Sequence, residues 1–188
     1  MPQAVADAFN KQRASRAFVM DTQIKSPAGQ VQIKAEYQPP DRMHQTIIAP
    51  NQAPLETVLY GRRAYSRQDG AWEELMPAIA QTIIAQVRSA VVDPPKEVGN
   101  FDCLGTTTLD GKEYLAYRSV EKQADAGAPT GAPVLHRTIY VDPKSGLPSV
   151  NIVSGEEPGA EVVFRGVYDY PERLEIEDHP DAPLVKMR

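Results

Sequence analysis

Apolar side chains recur at every second residue along most of this chain, and one helical stretch interrupts them in the middle. In residues 16–25 the alternation places Phe18, Met20, Thr22 and Ile24 on one face. Strict alternation is typical of β-strands that bury one face and leave the other in water. The chain is therefore constrained to build a sheet from successive strands, each with one dry side.

Turn signals divide this pattern into antiparallel hairpins. The Ser-Pro-Ala-Gly sequence at 26–29 and the Asp-Gly pairs at 69–70 and 110–111 are typical of tight turns. A Pro-Lys-Ser-Gly turn follows at 143–146. About ten or eleven strands are predicted: a hairpin over 16–38, then strands over 42–49, 55–60, 64–67, 71–75, 104–109, 113–122, 134–142, 148–154 and 161–170.

Two segments have helical spacing instead. Residues 3–13 predict a short helix with one apolar stripe. Residues 77–92 predict a longer amphipathic helix, which Pro77 opens and Pro94 and Pro95 terminate. Its apolar residues fall at steps of three and four: Ile79, Ile83, Ile84, Val87 and Val91.

These elements predict an α+β fold in a single domain, 1–188. An antiparallel sheet of so many strands curls or closes. The central helix has an apolar stripe and no sheet partner in sequence, so it most economically packs on the concave face of the sheet. Residues 123–133 are small and turn-rich and predict a mobile loop between strands.

Composition excludes several classes of protein. The formal net charge is −5 and no basic run is present, which argues against nucleic-acid binding. No stretch approaches the length of a membrane-spanning helix. Residues 1–7 lack a basic-then-apolar leader, so either the protein is cytosolic or the chain begins after a removed signal.

Signals for catalysis, metals and cofactors are weak. The three histidines, His44, His136 and His179, lie far apart without ligands at zinc-site spacing. No nucleophile elbow or glycine-rich phosphate loop occurs. The single cysteine, Cys103, excludes an intramolecular disulfide, and its strand-like setting predicts a small buried side chain. We expect no catalytic residue, metal or cofactor, and we interpret the acidic tail after Pro171 as solvated.

Aromatic, thioether and helix-stripe side chains are the candidates for a ligand-binding site. These side chains would form either the core of a filled barrel or the wall of an apolar cavity. The sequence does not separate the two, because in each case the side chains lie on the dry face of the sheet. The candidates are Phe18, Met20, Met43, Tyr60, Tyr65, Trp72, Ile79, Ile83, Tyr117 and Tyr140. Five of them, Met20, Met43, Tyr65, Trp72 and Ile83, are predicted to border one pocket.

Three hairpins, in order, resemble those of the LolA-like superfamily of exported lipoprotein-carrier proteins. They are 60–72, with its Tyr-Gly-Arg-Arg start and its closing Trp, 104–118 around Asp-Gly-Lys, and 139–148 with Asp-x-x-x-Gly-x-Pro. The resemblance implies a half-open β-barrel capped by helices, an apolar cavity and export to the periplasm. For the arginine that gates the carriers, Arg42 and Arg63 are the candidates.

The leading functional hypothesis is a periplasmic carrier that sequesters an acyl chain, a lipoprotein or another hydrophobic ligand between the concave sheet and the 77–92 helix. An alternative is a protein-interaction or sensor module on the same scaffold with a filled core. A third hypothesis is an enzyme that uses the cavity as its active site. The expected partners are a hydrophobic small molecule, a lipid or an acylated protein, and the 123–133 loop is the candidate lid.

Overall fold

The computed structural model describes residues 2–94, 99–119, 134–155, 157 and 159–185. The predicted loop at 123–133 and its proposed role as a lid lie outside these residues. The helices are α1 (Pro2–Arg13) and α2 (Pro77–Val87), and the strands are β1 (Phe18–Ser26), β2 (Gly29–Gln38), β3 (Arg42–Ile48), β4 (Leu55–Tyr60), β5 (Arg63–Arg67), β6 (Glu73–Glu74), β7 (Phe101–Leu109), β8 (Lys112–Ser119), β9 (Leu135–Val141), β10 (Pro148–Gly155) and β11 (Val162–Asp169).

All eleven strands form one antiparallel sheet with the order β6-β5-β4-β3-β2-β1-β11-β10-β9-β8-β7. Neighbours along the sheet are also neighbours in sequence, except where β1 pairs with β11. This pairing joins the first half of the chain to the second half. Strands β6 and β7 are the two edges, so the sheet does not close on itself. The predicted half-open barrel is therefore confirmed.

The predicted mid-chain helix is confirmed over 77–92. Proline at its first turn has no hydrogen bond to lose there, which makes Pro77 a favourable start for α2. After Val87 the backbone continues as one turn of π-helix through Arg88–Val92. The buried side chains of α2 and of this turn include Ala80, Val87 and Val91. They pack on the face of the sheet that carries Phe18 and Leu59.

Helix α1 covers the other half of the same sheet face. Its Val5 and Ala8 are buried against Tyr117 and Ile139 of strands β8 and β9. The two helices therefore cover different ends of one concave surface. Within the described ranges, no helix combines the length and the apolar character that a membrane crossing requires.

Cys103 differs from the sequence prediction, because its side chain is exposed. The register of β7 against β8 shifts between Cys103 and Gly105, where Gly105 has a φ of 78°. Cys103 pairs with Tyr117 on the concave side, but β7 is an edge strand, so its side chains have a neighbouring strand on one side only and Cys103 stays open to solvent.

Candidate ligand-binding site beneath the mid-chain helix

The floor of the candidate site is one row of side chains that crosses five strands. Phe18 pairs with Tyr37, Tyr37 with Met43, Met43 with Leu59, and Leu59 with Ala64. Paired residues in adjacent antiparallel strands point to the same face, so all five face α2. Each is buried, and the rings of Phe18 and Tyr37 have centroids 5.0 Å apart.

Helix α2 lies on this floor and leaves a groove on each side. The smaller groove, about 190 Å³, is bordered by Tyr37, Met43, Ile83, Val87 and Ala90, with Gln45, Thr57 and Gln86 also in its lining. The larger groove, about 300 Å³, is lined by Leu59, Ile84, Val92, Pro40, Asp41, Gly61, Arg62 and Arg88. Both grooves therefore have apolar floors and polar groups in their linings.

Tyr37 lines the smaller groove without placing a charge there. Burial raises the pKa of Tyr37 to about 12, and the nearby Tyr168 contributes to the same shift. The phenol therefore stays neutral at physiological pH. A neutral hydroxyl can orient a polar end of a ligand, whereas a buried charge would oppose the entry of an apolar chain.

Another cavity, of about 350 Å³, lies at the end of the β1–β2 hairpin. Its lining includes Gln23, Lys25 and Arg165, long polar side chains that extend from strand ends. Neither helix contributes to it. The grooves beside α2 are the better candidate site despite their smaller volumes, because a buried apolar floor supports each of them.

Comparison with known proteins finds similarity in fold alone. Neither a protein-family model nor a curated protein matches the sequence. The structure of LprF from Mycobacterium bovis matches with a TM-score of 0.59 and 12% identity over 94% of this chain and 95% of LprF. Lipoprotein LppX from Mycobacterium tuberculosis matches with a TM-score of 0.61 and 9% identity over 94% of this chain and 97% of LppX.

An uncharacterized conserved protein from Thermus thermophilus also matches, with a TM-score of 0.51 and 10% identity over 97% of both chains. The agreement with both mycobacterial proteins over nearly their whole length decides the fold. This chain has the LolA-like fold. The resemblance seen in the sequence is confirmed for the fold. Identities of 9% and 12% do not indicate that this chain binds the same ligand as either protein.

The LolA-like fold brings together only part of the predicted cavity wall. Phe18, Met43 and Ile83 meet beneath or beside α2. Met20 is half-buried on the same face, because it lies two residues after Phe18 and pairs with Ala35. Tyr117 also faces the helices, but it lies beneath α1.

Tyr60, Tyr65 and Trp72 lie on the opposite, convex face of the sheet. The prediction of one pocket is therefore wrong for Tyr65 and Trp72. Leu59 and Ala64 form a cross-strand pair that faces α2, so the residues next to them point outward. Successive residues in a strand point to opposite faces, so a shift of one position moves a side chain from the concave face to the convex face. Sequence reasoning assumed that the aromatic side chains point inward.

The C-terminal segment explains why aromatic residues are on the convex face. Residues 171–185, which we name the strap, cross that face, and Ile176 is buried against Val58 and Tyr65. Gln38 holds the strap at two points, donating to Leu174 O (2.7 Å) and accepting from Ile176 N (3.2 Å). The strap was predicted as a solvated tail, and a signal against this was the pair Leu174 and Ile176, two apolar residues at a spacing of two among charged ones.

Further contacts hold the distal half of the strap. The Tyr65 hydroxyl donates to Asp178 at 2.7 Å, and the imidazole of His179 stacks on Trp72 with centroids 4.2 Å apart. Near its end the strap pairs with the edge strand β6, because Glu74 N donates to Pro183 O and Val185 N donates to Glu74 O, both at 2.8 Å. The strap thereby covers an edge strand that would otherwise present open backbone groups.

The two candidate gating arginines are also on the convex face. Arg42 pairs with Tyr60 and stacks over its ring at 4.3 Å. Arg63 donates two hydrogen bonds to Glu74, at 3.0 and 2.8 Å. Neither side chain faces the grooves, so neither can gate a ligand held beneath α2.

The remaining two candidates lie outside the grooves for different reasons. Tyr140 points away from α1, because its neighbour Ile139 faces that helix, and it contacts Tyr114 with centroids 6.1 Å apart. Ile79 remains 41% exposed on α2. The helical spacing correctly placed Ile79 on the apolar stripe of α2. The stripe is wider than the apolar floor of the sheet, so Ile79 lies at its margin and stays in contact with solvent.

Charged side chains form a ladder across the convex face of β2 to β5. Glu36 and Glu56 flank His44, at 3.1 Å from Nδ1 and 3.2 Å from Nε2. Arg67 donates to Glu56 at 2.5 and 3.1 Å. Among the residues that the structure describes, no group of three His, Cys, Asp or Glu side chains could hold a metal ion. We interpret the ladder as a solvated structural face.

The ladder predicts a pH-dependent contribution to stability. Burial alone would raise the pKa of Glu56, but hydrogen bonds and charges from Arg67 and His44 outweigh it and lower the pKa. When the pKa of a carboxyl group is lower in the folded than in the unfolded state, its ionisation stabilises the fold at pH values above the unfolded-state pKa. This contribution is lost as the pH falls through the folded-state pKa. Glu56→Gln should therefore lower the free energy of unfolding by about 0.5–1 kcal/mol at pH 7 and have little effect below about pH 3.

Thermal unfolding of the wild type and Glu56→Gln between pH 7 and pH 3 measures this difference. Glu172→Gln, in the exposed part of the strap, is the matched control. A stability difference that stays constant down to pH 3 would contradict the ionic origin of the effect.

Proposed function

We propose that this protein is an exported carrier or binding protein that holds an acyl chain or another hydrophobic ligand between α2 and the concave face of the sheet. One observation carries the proposal: α2 lies on an apolar floor with a groove open on each side. The LolA-like fold supports it, since one protein that shares the fold is described as a lipoprotein. The ligand would be a free lipid or the acyl group of an acylated protein.

Burial of the chain would supply the affinity. Each buried methylene contributes about 0.8 kcal/mol, so an alkyl chain binds usefully without a charged contact. Grooves of about 190 and 300 Å³ are at or below the lower end of ligand-pocket volumes. A long chain therefore requires α2 to shift on its floor and join the two grooves.

The helix is built to permit such a shift. Its floor contacts use the aliphatic side chains of Ala80, Val87 and Val91, with Ile83 and Ile84 packed beside them, rather than aromatic groups. At its C-terminal end Arg13 of α1 donates to the backbone oxygens of Ala90 (3.1 Å) and Asp93 (2.9 Å). These contacts hold the π-helical end, so we expect the N-terminal part of α2 to move more.

A helix-filling variant tests the proposal. Ala90 borders the smaller groove, whereas Ala85 lies on the solvent side of the same helix. Ala90→Trp should fill most of that groove and weaken the binding of a neutral apolar dye such as Nile red by roughly tenfold or more. Ala85→Trp should bind the dye like the wild type, because its indole projects into water.

Titration of dye fluorescence at equal protein concentrations gives both dissociation constants, and circular dichroism checks that both variants fold. Equal affinities in the two variants would contradict a site beside α2. No binding of the dye or of any alkyl probe by the wild type would instead favour the interaction module with a filled core. Sequestration requires no chemical step, and we assign none.

A further inference from the structure

The two grooves beside α2 differ in charge. Arg62, Arg88 and Asp41 are in the lining of the larger groove, whereas none of the described residues that line the smaller groove is charged. The chain as a whole carries a formal net charge of −5. A surplus of positive charge in one groove therefore does not follow from the general composition of the protein.

The mouth of the larger groove is formed by two turns of the sheet and by the end of the helix. Gly61 N donates to Asp41 O at 3.0 Å, which holds the β4–β5 turn beside the β2–β3 turn. Arg62 follows Gly61 in the β4–β5 turn, and Arg88 begins the π-helical turn that continues α2. One arginine therefore comes from the sheet side of the groove and the other from the helix side.

Burial changes steeply from the floor of this groove to its rim. Leu59 on the floor is 1% exposed, whereas the side chain of Arg88 is 62% exposed and Arg62 is also exposed. The tail of an amphiphile could be buried on Leu59 while its polar end remained at the rim in contact with water. A charged end held there avoids the large cost of moving a charge into an apolar interior.

No strong ion pair neutralises the two arginines. Arg88 Nη2 lies 3.5 Å from Asp93 Oδ1, and both side chains are more than half exposed, so this pair contributes little and exchanges easily. Within the part of the chain that the structure describes, Arg62 has no ion-pair partner, and Asp41 pairs with neither arginine. Like charges that line one groove raise the local concentration of an ion of opposite sign.

The guanidinium group defines the chemistry of a complementary ligand. Its planar fork of N–H donors matches the oxygens of a carboxylate or a phosphate, and it accepts no hydrogen bond. A neutral alcohol offers such a fork a single oxygen without charge, and an ammonium group would be repelled. The chemistry that fits the rim is therefore an oxyanion attached to an apolar tail.

We propose that the larger groove binds the anionic headgroup of a single-chain amphiphile through Arg62 and Arg88. The inference rests on the proposed function, since the alkyl tail of the same ligand would lie on the apolar floor beneath α2. It also gives the bound ligand a direction. The headgroup lies at the rim of the larger groove, and the tail extends under the helix toward the smaller, uncharged groove.

Three ligands of equal chain length test the inference in competition with Nile red. They are dodecanoate, dodecyl phosphate and dodecan-1-ol, each used below the concentration at which it forms aggregates and at about pH 7, where both acids are ionised. Wild-type protein should bind each anion roughly five- to tenfold more tightly than the alcohol. Tighter binding of the phosphate would identify a phospholipid headgroup, and tighter binding of the carboxylate a free fatty acid; both results support the site.

A double variant, Arg62→Gln with Arg88→Gln, removes both charges from the rim. It should reduce the preference for the anions to about twofold or less, because the anions lose their partners while the alcohol, which gains little from a guanidinium group, changes far less. Asp41→Asn should act in the opposite direction and raise the preference by about twofold, since it removes a competing carboxylate. The backbone oxygen that Gly61 contacts remains in this variant.

The matched control is a second double variant, Lys112→Gln with Arg173→Gln. Lys112 at the start of β8 and Arg173 in the strap are exposed and lie outside both grooves, so this variant changes the net charge equally. It should keep the full preference for the anions. Circular dichroism checks that every variant folds like the wild type.

The outcomes separate this inference from the proposed function. Equal affinities of wild-type protein for the anions and the alcohol would overturn the headgroup site and leave the carrier function standing. An anion preference that survives the loss of Arg62 and Arg88, or that falls as much in the control, would also overturn it. Failure of all three compounds to displace the dye would overturn the proposed function together with the inference.

Discussion

Leu59→Ala is expected to lower the free energy of unfolding by about 2–5 kcal/mol, the range for a buried leucine truncated in a core. Leu59 is 1% exposed and lies in the middle of the floor beneath α2, between Met43 and Ala64. Removing three carbon atoms there withdraws contacts from Ile84 and Val92, which line the larger groove with it. The loss corresponds to a fall in melting temperature on the order of 10 °C.

The matched control for this prediction is Leu184→Ala. Leu184 lies in the strap and is 56% exposed, so its truncation should change the free energy by less than about 0.5 kcal/mol. Urea unfolding measures both variants. Similar small effects in the two would show that α2 does not pack on Leu59, and the candidate site would lose its floor.

Ile176→Ala has the second largest expected effect, because Ile176 anchors the strap. Its side chain is 4% exposed and packs against Val58 and Tyr65, so truncation should cost about 2–4 kcal/mol. The strap should then loosen on the convex face around Ile176, because this is the buried apolar side chain of the strap, and the strap's remaining contacts are mainly hydrogen bonds with Gln38, Tyr65 and Glu74 and ring stacking. Its loosening would expose Trp72, which stacks on His179.

Trp72 is the single tryptophan of the chain, so its fluorescence reports this local event directly. Emission of Ile176→Ala should shift to longer wavelength before global unfolding begins. Ile48→Ala, at a site that is 45% exposed, is the control and should change neither stability nor emission. A wild-type spectrum in Ile176→Ala would show that the strap is held by other contacts.

The positions of strands and helices could be predicted from the sequence because they follow local rules. The period of two and the turn residues marked all eleven strands to within a few residues, and the change of period marked α2. The shortest strand, β6, contains only Glu73 and Glu74, where 71–75 was predicted. The curled sheet and the helix on its concave face followed from the number of strands and from the need to bury an apolar stripe.

The composition of the site could not be predicted in the same way. Phe18, Met43 and Ile83 were correctly placed on one face, but Tyr65 and Trp72 were not. Alternation states that neighbouring residues face opposite sides, without saying which side is inside. That choice depends on cross-strand pairing, here Leu59 with Ala64, and on a strap more than a hundred residues away in sequence.

The pairing of β1 with β11 shows the same division. Thr22 was visible in the alternation of β1, but only the pairing of β1 with β11 and of β11 with β10 brings it together with Gly166 and Asn151. The sequence by itself determined the period of each element and therefore the class of fold. Only the tertiary structure decided which face each side chain occupies and which distant residues meet, because both depend on long-range pairing that no local window of sequence contains.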